Sequence, residues 1–195
     1  MQDESAPRSN ELRTQQMRAR LVASARELFA EKGFSETGTP EIVRHANVTR
    51  GALYHHFVDK TDLFRAVVEA EAESVEKEIT ASSANAKTPL AALRGGTVAF
   101  FQAMSVPGRA RILLVDGPAV LGVTEIDRID AGSGRASLRQ GLGNMLPEMP
   151  AADLDALSIV LSAAFDRAAL AIATGEREEP YTDALVRLVS SLGER

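Results

Sequence analysis

The period of its apolar residues confines this chain more than any other feature. Nearly every apolar stretch repeats with helical spacing, and none alternates convincingly with the spacing of a strand. Met17, Leu21, Val22, Ala25, Leu28 and Phe29 mark one face of a first helix beginning near Asn10, with Gly33 as its stop and Phe34 placed to fold back. Thr39-Pro40 predicts the start of a second helix, with a capping threonine and a proline whose missing N–H costs nothing there. That helix carries Ile42 and Val43 and ends at Ala46-Asn47, where asparagine tolerates the left-handed backbone of a tight turn. Thr49 caps a third helix, with Val48 and Leu53 spaced as a hydrophobic staple. Asp59 caps a fourth from Lys60 towards Ile79, with Leu63, Phe64, Val67 and Val68 inward.

A polar link over residues 81–87 follows, and Pro89 opens a helix through Phe100, Phe101 and Met104. Pro107-Gly108 breaks it, Arg109 to Val115 forms a short helix, and Gly117-Pro118 breaks the chain again before a glycine-rich segment. Asp153 caps a long apolar helix to about Thr174, with Leu157, Val160, Leu161, Ala164, Phe165 and Ala168 on its stripe, and a last helix runs from near Pro180 to Leu192. The expected fold is all-α with about nine helices. A disordered tail occupies residues 1–9, a three-helix unit residues 10–60, and a larger helical body residues 61–195.

The 195 residues, 45% hydrophobic and 25% charged, can bury a substantial core as an ordinary globular protein does. With no cysteine, disulfides and thiolate chemistry are excluded. No apolar run approaches the roughly 20 residues of a membrane span, and the polar, acidic start is unlike a secretory signal. A cytoplasmic protein without a membrane partner is expected. The net charge of -5 is uneven: from Arg8 to Lys60 the count is nine Lys/Arg against six Asp/Glu, and from Thr61 onward thirteen against nineteen. A basic head on an acidic body suggests a local anion-binding surface.

Two short helices separated by a tight turn are the frame of a helix-turn-helix, whose second helix enters the DNA major groove. Sorting the third helix by face places Leu53 and Phe57 inward, while Arg50, Gly51, Tyr54 and His55 face outward together. Gly51 costs about 1 kcal/mol relative to alanine in a helix, but lets that helix approach DNA closely. Arg50 can reach a guanine edge or a phosphate, and Thr49, Tyr54 and His55 can donate to phosphates. Lys60 opposes a helix dipole, which makes sense if a phosphate binds there. Thr39 and Ala52 complete the candidate DNA-facing set. His56 reads as packing and His45 as decoration of the second helix. Adjacent helical histidines point about 100° apart, which disfavours a shared metal.

The run TGTPEIVRHANVTRGALYHHFVDKTDLF over 37–64, with LVASARELFAEKGF before it, resembles the DNA-binding signature of the TetR family of transcriptional repressors. Asn47 stands for the turn glycine, Thr49 for the serine cap, Val43 for an alanine and Gly38 for a common threonine. The resemblance implies a homodimeric repressor on a near-palindromic operator. It also implies a small-molecule effector in the body and a dimer seam built by the last two helices, about 153–174 and 180–192. ILLVDGPAVLG at 112–122 resembles a phrase from the ligand domains of a subset of these regulators, with Val123 and Ile126 where tryptophans often stand.

Phe100, Phe101, Met104, Leu113, Asp116 and Phe165 are the candidate pocket residues, although core and pocket share the same helices. Asp116 can instead pair with Arg111 or Arg128. With few charged or aromatic candidates, a small and mostly apolar effector is expected. No phosphate loop, catalytic triad or metal spacing is present, so neither an enzyme nor a cofactor is expected. A helical protein-interaction adaptor would account for the apolar final helices, but not for Gly51, Tyr54 and Lys60.

Overall fold

A computed structural model describes the backbone of residues 5–193 and the side chains of residues 11–193. Among the described residues there are helices and no strands. Of the tail expected at residues 1–9, residues 1–4 lie outside the described residues. Residues 5–9 already belong to α1 (Ser5–Lys32), because Pro7 falls in the first turn, where it removes no helical hydrogen bond. The chain divides after Val68 into two compact units, later than residue 60. The first turns of α4 (Lys60–Ser83) belong to the N-terminal unit because Leu63, Phe64, Val67 and Val68 are buried there.

In the N-terminal unit α1 ends where Gly33 adopts a φ of 83° and its N–H donates to the Phe29 carbonyl at 2.9 Å. Phe34 folds back so that its ring lies 5.8 Å from Phe29 and 5.0 Å from Phe64. The buried Thr37 hydroxyl donates to the Gly33 carbonyl at 2.8 Å, satisfying an otherwise orphaned group near the helix end. The cap of α2 (Thr39–His45) differs from expectation: Gly38 holds the N-cap position and Thr39 is already helical. Asn47, with φ 51°, is the only non-glycine residue with positive φ among the described residues. Thr49 caps α3 (Arg50–His56) by accepting from the Ala52 N–H at 3.1 Å. Asp59 and Asp62 cap α4 reciprocally, Asp59 accepting from the Asp62 N–H at 2.8 Å and Asp62 from the Val58 N–H at 3.0 Å.

The C-terminal unit packs α5 (Pro89–Met104), α9 (Gly134–Met145), α10 (Ala151–Ala173) and α11 (Glu178–Leu192) around Leu93, Phe101, Leu142, Leu161, Phe165 and Val189. Gly117-Pro118 does not break the chain as expected. A helical run passes through α6 (Arg109–Arg111), a π turn at Ile112–Asp116 and α7 (Gly117–Leu121), stopping only at Gly122 with φ 85°. The widened turn absorbs the hydrogen bond that Pro118 cannot make. Gly117 fits because a Cβ there would lie 2.9 Å from the Ile112 carbonyl oxygen and 3.0 Å from Ile126. The expected glycine-rich break is therefore helical, continuing as α8 (Val123–Ala131) and α9. Among the described residues the fold is all-α as expected, with these short helices added to the longer ones.

Arg109 is buried, and its guanidinium donates to Glu71 at 2.8 Å, Glu78 at 2.9 Å, the Ala103 carbonyl at 2.7 Å and the Ser74 hydroxyl at 3.2 Å. One side chain thus fastens the turn after α5 to the later turns of α4. Asp153 lies in the first turn of α10 rather than at its cap, a position held by Pro150. At 23 residues, α10 is long and apolar enough to cross a membrane by length and composition, although Asp153, Asp155, Asp166 and Arg167 interrupt its apolar run. Its inward face nevertheless carries Leu154, Leu161, Phe165, Ala168 and Ala169 of the core.

Candidate functional site

The outward face of α3 carries Arg50, Gly51, Tyr54 and His55, all exposed, with Thr49 exposed at the cap and Ala52 half-buried. The inward face is fixed by Leu53 and Phe57, both almost wholly buried. The Thr39 hydroxyl and the Arg50 guanidinium beside the Tyr54 phenol hold its pKa below the usual tyrosine range. Arg50 also lies over the Tyr54 ring, 5.5 Å from its centroid. Thr39, displaced from the cap, lies beside the face of α3. Thr39, Tyr54 and Arg50 form one polar array on the surface.

Gly51 has no structural reason to be glycine. Its φ is not positive, and a Cβ would meet nothing nearer than the Thr49 hydroxyl at 3.9 Å. The helix-propensity loss is thus uncompensated inside the folded unit. His56 is half-buried, and burial, followed by the neighbouring His55 and Arg18, lowers its pKa. His45 lies 3.4 Å from Glu27 on the neighbouring helix.

Lys60 is placed differently from the phosphate-gripping role expected of it. Its ammonium donates to the Phe34 carbonyl at 2.9 Å and the Thr37 carbonyl at 3.0 Å, and sits 3.9 Å from the centre of the Phe34 ring. Burial lowers its pKa. The penalty of a cation at a helix N-terminus is offset by carbonyls beyond the end of α1, so no phosphate is needed to explain it.

The C-terminal unit holds a cavity of about 340 Å³ walled by α4, α5, α8, α9 and α10. Of the expected pocket residues, Phe100 and Phe165 line it, their ring centroids 5.3 Å apart. Phe101 and Met104 instead belong to the core and border a second cavity of about 320 Å³. Leu113 packs half-buried against the core and lines neither. Asp116 lies 3.4 Å from the Arg111 guanidinium, the ion pair expected as the alternative to a ligand anchor.

The polar groups of the first cavity were not expected. Asp130 at the end of α8 accepts from the Ser162 hydroxyl at 3.0 Å and from the Arg135 backbone N–H at 3.3 Å. Asp166, one turn beyond Ser162 on α10, shares the cavity wall. Burial, then the charge of Asp130, pushes the Asp166 carboxyl up to about 7 against the opposing pull of Arg135. Burial raises Asp130 as well. The available sequence signal was an aspartate on the apolar, alanine-rich stripe of α10. Among the described residues no group of three or more potential ligands could hold a metal ion.

Comparison with known proteins bears on both units. Residues 21–67 match the profile of bacterial regulatory proteins of the tetR family, and residues 90–194 match the tetracyclin repressor-like C-terminal domain. The HTH-type transcriptional regulator AcrR of Shigella flexneri is 32% identical over 108 residues, 55% of this chain and 50% of the relative. The HTH-type transcriptional repressor BepR of Brucella suis is 31% identical over 98 residues, 49% of this chain and 46% of the relative. This chain thus spans about half the length of the curated relatives it matches. A solved TetR-family regulator from Pectobacterium atrosepticum superposes with a TM-score of 0.72 at 30% identity, covering 93% of this chain and 94% of that one. The structure of RolR in complex with resorcinol gives 0.66 at 23% identity, covering 95% and 96%, a likeness of fold alone.

Proposed function

This chain belongs to the tetR family of bacterial regulatory proteins, transcription regulators and not enzymes, and on that premise we propose that it is an effector-responsive repressor binding a near-palindromic operator as a homodimer. In this reading α3 lies in the major groove. Arg50 reads a base edge or a phosphate, and Thr39, Thr49, Tyr54 and His55 donate to the backbone, with Ala52 beside them. The observation that carries it is Gly51: a glycine the fold does not need, centred on an exposed face beside Arg50 and Tyr54. Lys60 acts at one remove, by holding the loop after α1 in place.

The dimer seam is assigned to α10 and α11, which leave Ile159, Val160 and Leu188 exposed. The effector occupies the 340 Å³ cavity. It can change operator occupancy only through its differential affinity for the DNA-competent and DNA-incompetent arrangements. Repression, rather than activation, follows the family resemblance and relatives such as BepR.

Gel-shift titration against selected and random DNA tests the reading. Arg50→Ala is expected to alter sequence preference and Tyr54→Ala to weaken binding to both DNAs, with affinity falling steeply as salt rises. If both variants bind like the wild type, or salt has no effect, the α3 surface is not the DNA-binding site.

A further inference from the structure

The cavity of the C-terminal unit does not match the apolar effector expected from the sequence. One wall is apolar, with Ile79, Leu93, Phe100, Leu138 and Phe165. The same cavity presents two carboxyl groups from different helices, Asp130 and Asp166. The nearby cation is divided among three carboxyl groups. Arg135 directs one guanidinium nitrogen to the Asp127 carboxylate at 2.7 Å and another to the Asp127 carbonyl at 2.8 Å. Only its Nε faces Asp130, at 3.5 Å. Asp130 is held by Ser162 and the Arg135 backbone, whereas Asp166 makes no hydrogen bond among the described residues.

We propose that this cavity binds a small organic cation, an apolar body bearing a single protonated amine, with the ammonium received by Asp130 and Asp166 and the body lying against Phe100 and Phe165. The proposal rests on the regulator reading, in which the cavity is the effector site. Three features lead to it. Two acids share one partly engaged arginine, so an anionic effector would be repelled and a monocation attracted. A half-buried carboxyl without a donor is stabilised by an ammonium, which supplies both charge and hydrogen bonds. An aromatic pair beside the acids offers ring faces to the same cation. At about 340 Å³ the cavity is near the small end of the roughly 300–1,000 Å³ range of ligand sites, which limits the body to about one ring. The raised Asp166 carboxyl, at about 7, is consistent with a group lacking its counter-charge, with Asp130 and Arg135 the charged groups acting on it.

The test compares three probes of one shape, 2-phenylethylamine, 2-phenylethanol and phenylacetate, on the full chain without DNA by calorimetry and thermal shift at pH 7.5. The amine is expected to bind at least tenfold more tightly than the alcohol, and phenylacetate not to bind. Asp166→Asn should weaken the amine at least tenfold and leave the alcohol unchanged; should that variant fail to fold, Asp166→Ala serves in its place. Equal binding of amine and alcohol, tighter binding of phenylacetate, no binding by any probe, or an Asp166 variant with undiminished amine affinity each overturns the proposal. A chain that binds DNA without preferring the amine defeats this inference alone. One that prefers the amine but binds no DNA defeats the regulator reading alone.

Discussion

The two units use glycine and charge in opposite ways. In the N-terminal unit Gly51 has open space around the position of a Cβ, whereas Gly117 in the C-terminal unit would drive a Cβ to 2.9 Å from a backbone carbonyl oxygen. Arg50 lies exposed on the first unit, whereas Arg109 is buried in the second among Glu71, Ser74 and Glu78. A residue costly to the fold in one unit is needed by the fold in the other. The difference separates glycines and charges kept for an external partner from those kept for packing.

The comparison is broken most forcefully at Arg109. Arg109→Met removes the cation from a buried pair, and a loss of about 3–5 kcal/mol is expected in urea unfolding of the C-terminal unit. A loss below about 1 kcal/mol would mean that Arg109 is no more structural than a surface arginine. Gly117→Ala comes next, at about 1–3 kcal/mol, because the atom it meets belongs to the backbone and cannot swing aside.

Asp166→Asn addresses pH. The folded carboxyl titrates near 7, above its unfolded value of about 4, so the folded state holds the proton more tightly and stability falls as pH rises through that window. The variant should lose that slope and exceed the wild type at pH 8 by about 1–2 kcal/mol, discounted for the solvent reaching the cavity. Parallel stability–pH curves would contradict the placement of Asp166. The smallest effect has the opposite sign: Gly51→Ala should stabilise the N-terminal unit by up to about 1 kcal/mol while weakening operator binding severalfold. A neutral or destabilising outcome would show that the fold needs this glycine after all.

What was legible in the sequence follows the same division. The stop at Gly33, the left-handed Asn47 and the caps at Thr49 and Asp59 all concern partners within a few residues, and spacing displays them. Lys60 finds its carbonyls 26 and 23 residues away, and Arg109 reaches Glu71 across 38. Nothing local announces such pairings. Thr39 differs from expectation because Gly38 takes the cap position, which leaves the Thr39 hydroxyl beside Tyr54. The pocket divided for a related reason. Phe100 and Phe101 are neighbours on one helix, and only the packing of α9 and α10 decides which of them meets the cavity.

Asn47 carries a further consequence. A glycine would reach its φ of 51° without strain, but the unfolded chain would then have more backbone states to surrender. Asparagine visits the left-handed region more readily than most residues with a Cβ. The turn that sets the direction of α3 therefore closes with a smaller loss of conformational entropy. The aim of that helix is secured partly in the unfolded ensemble, by the freedom that the turn never had.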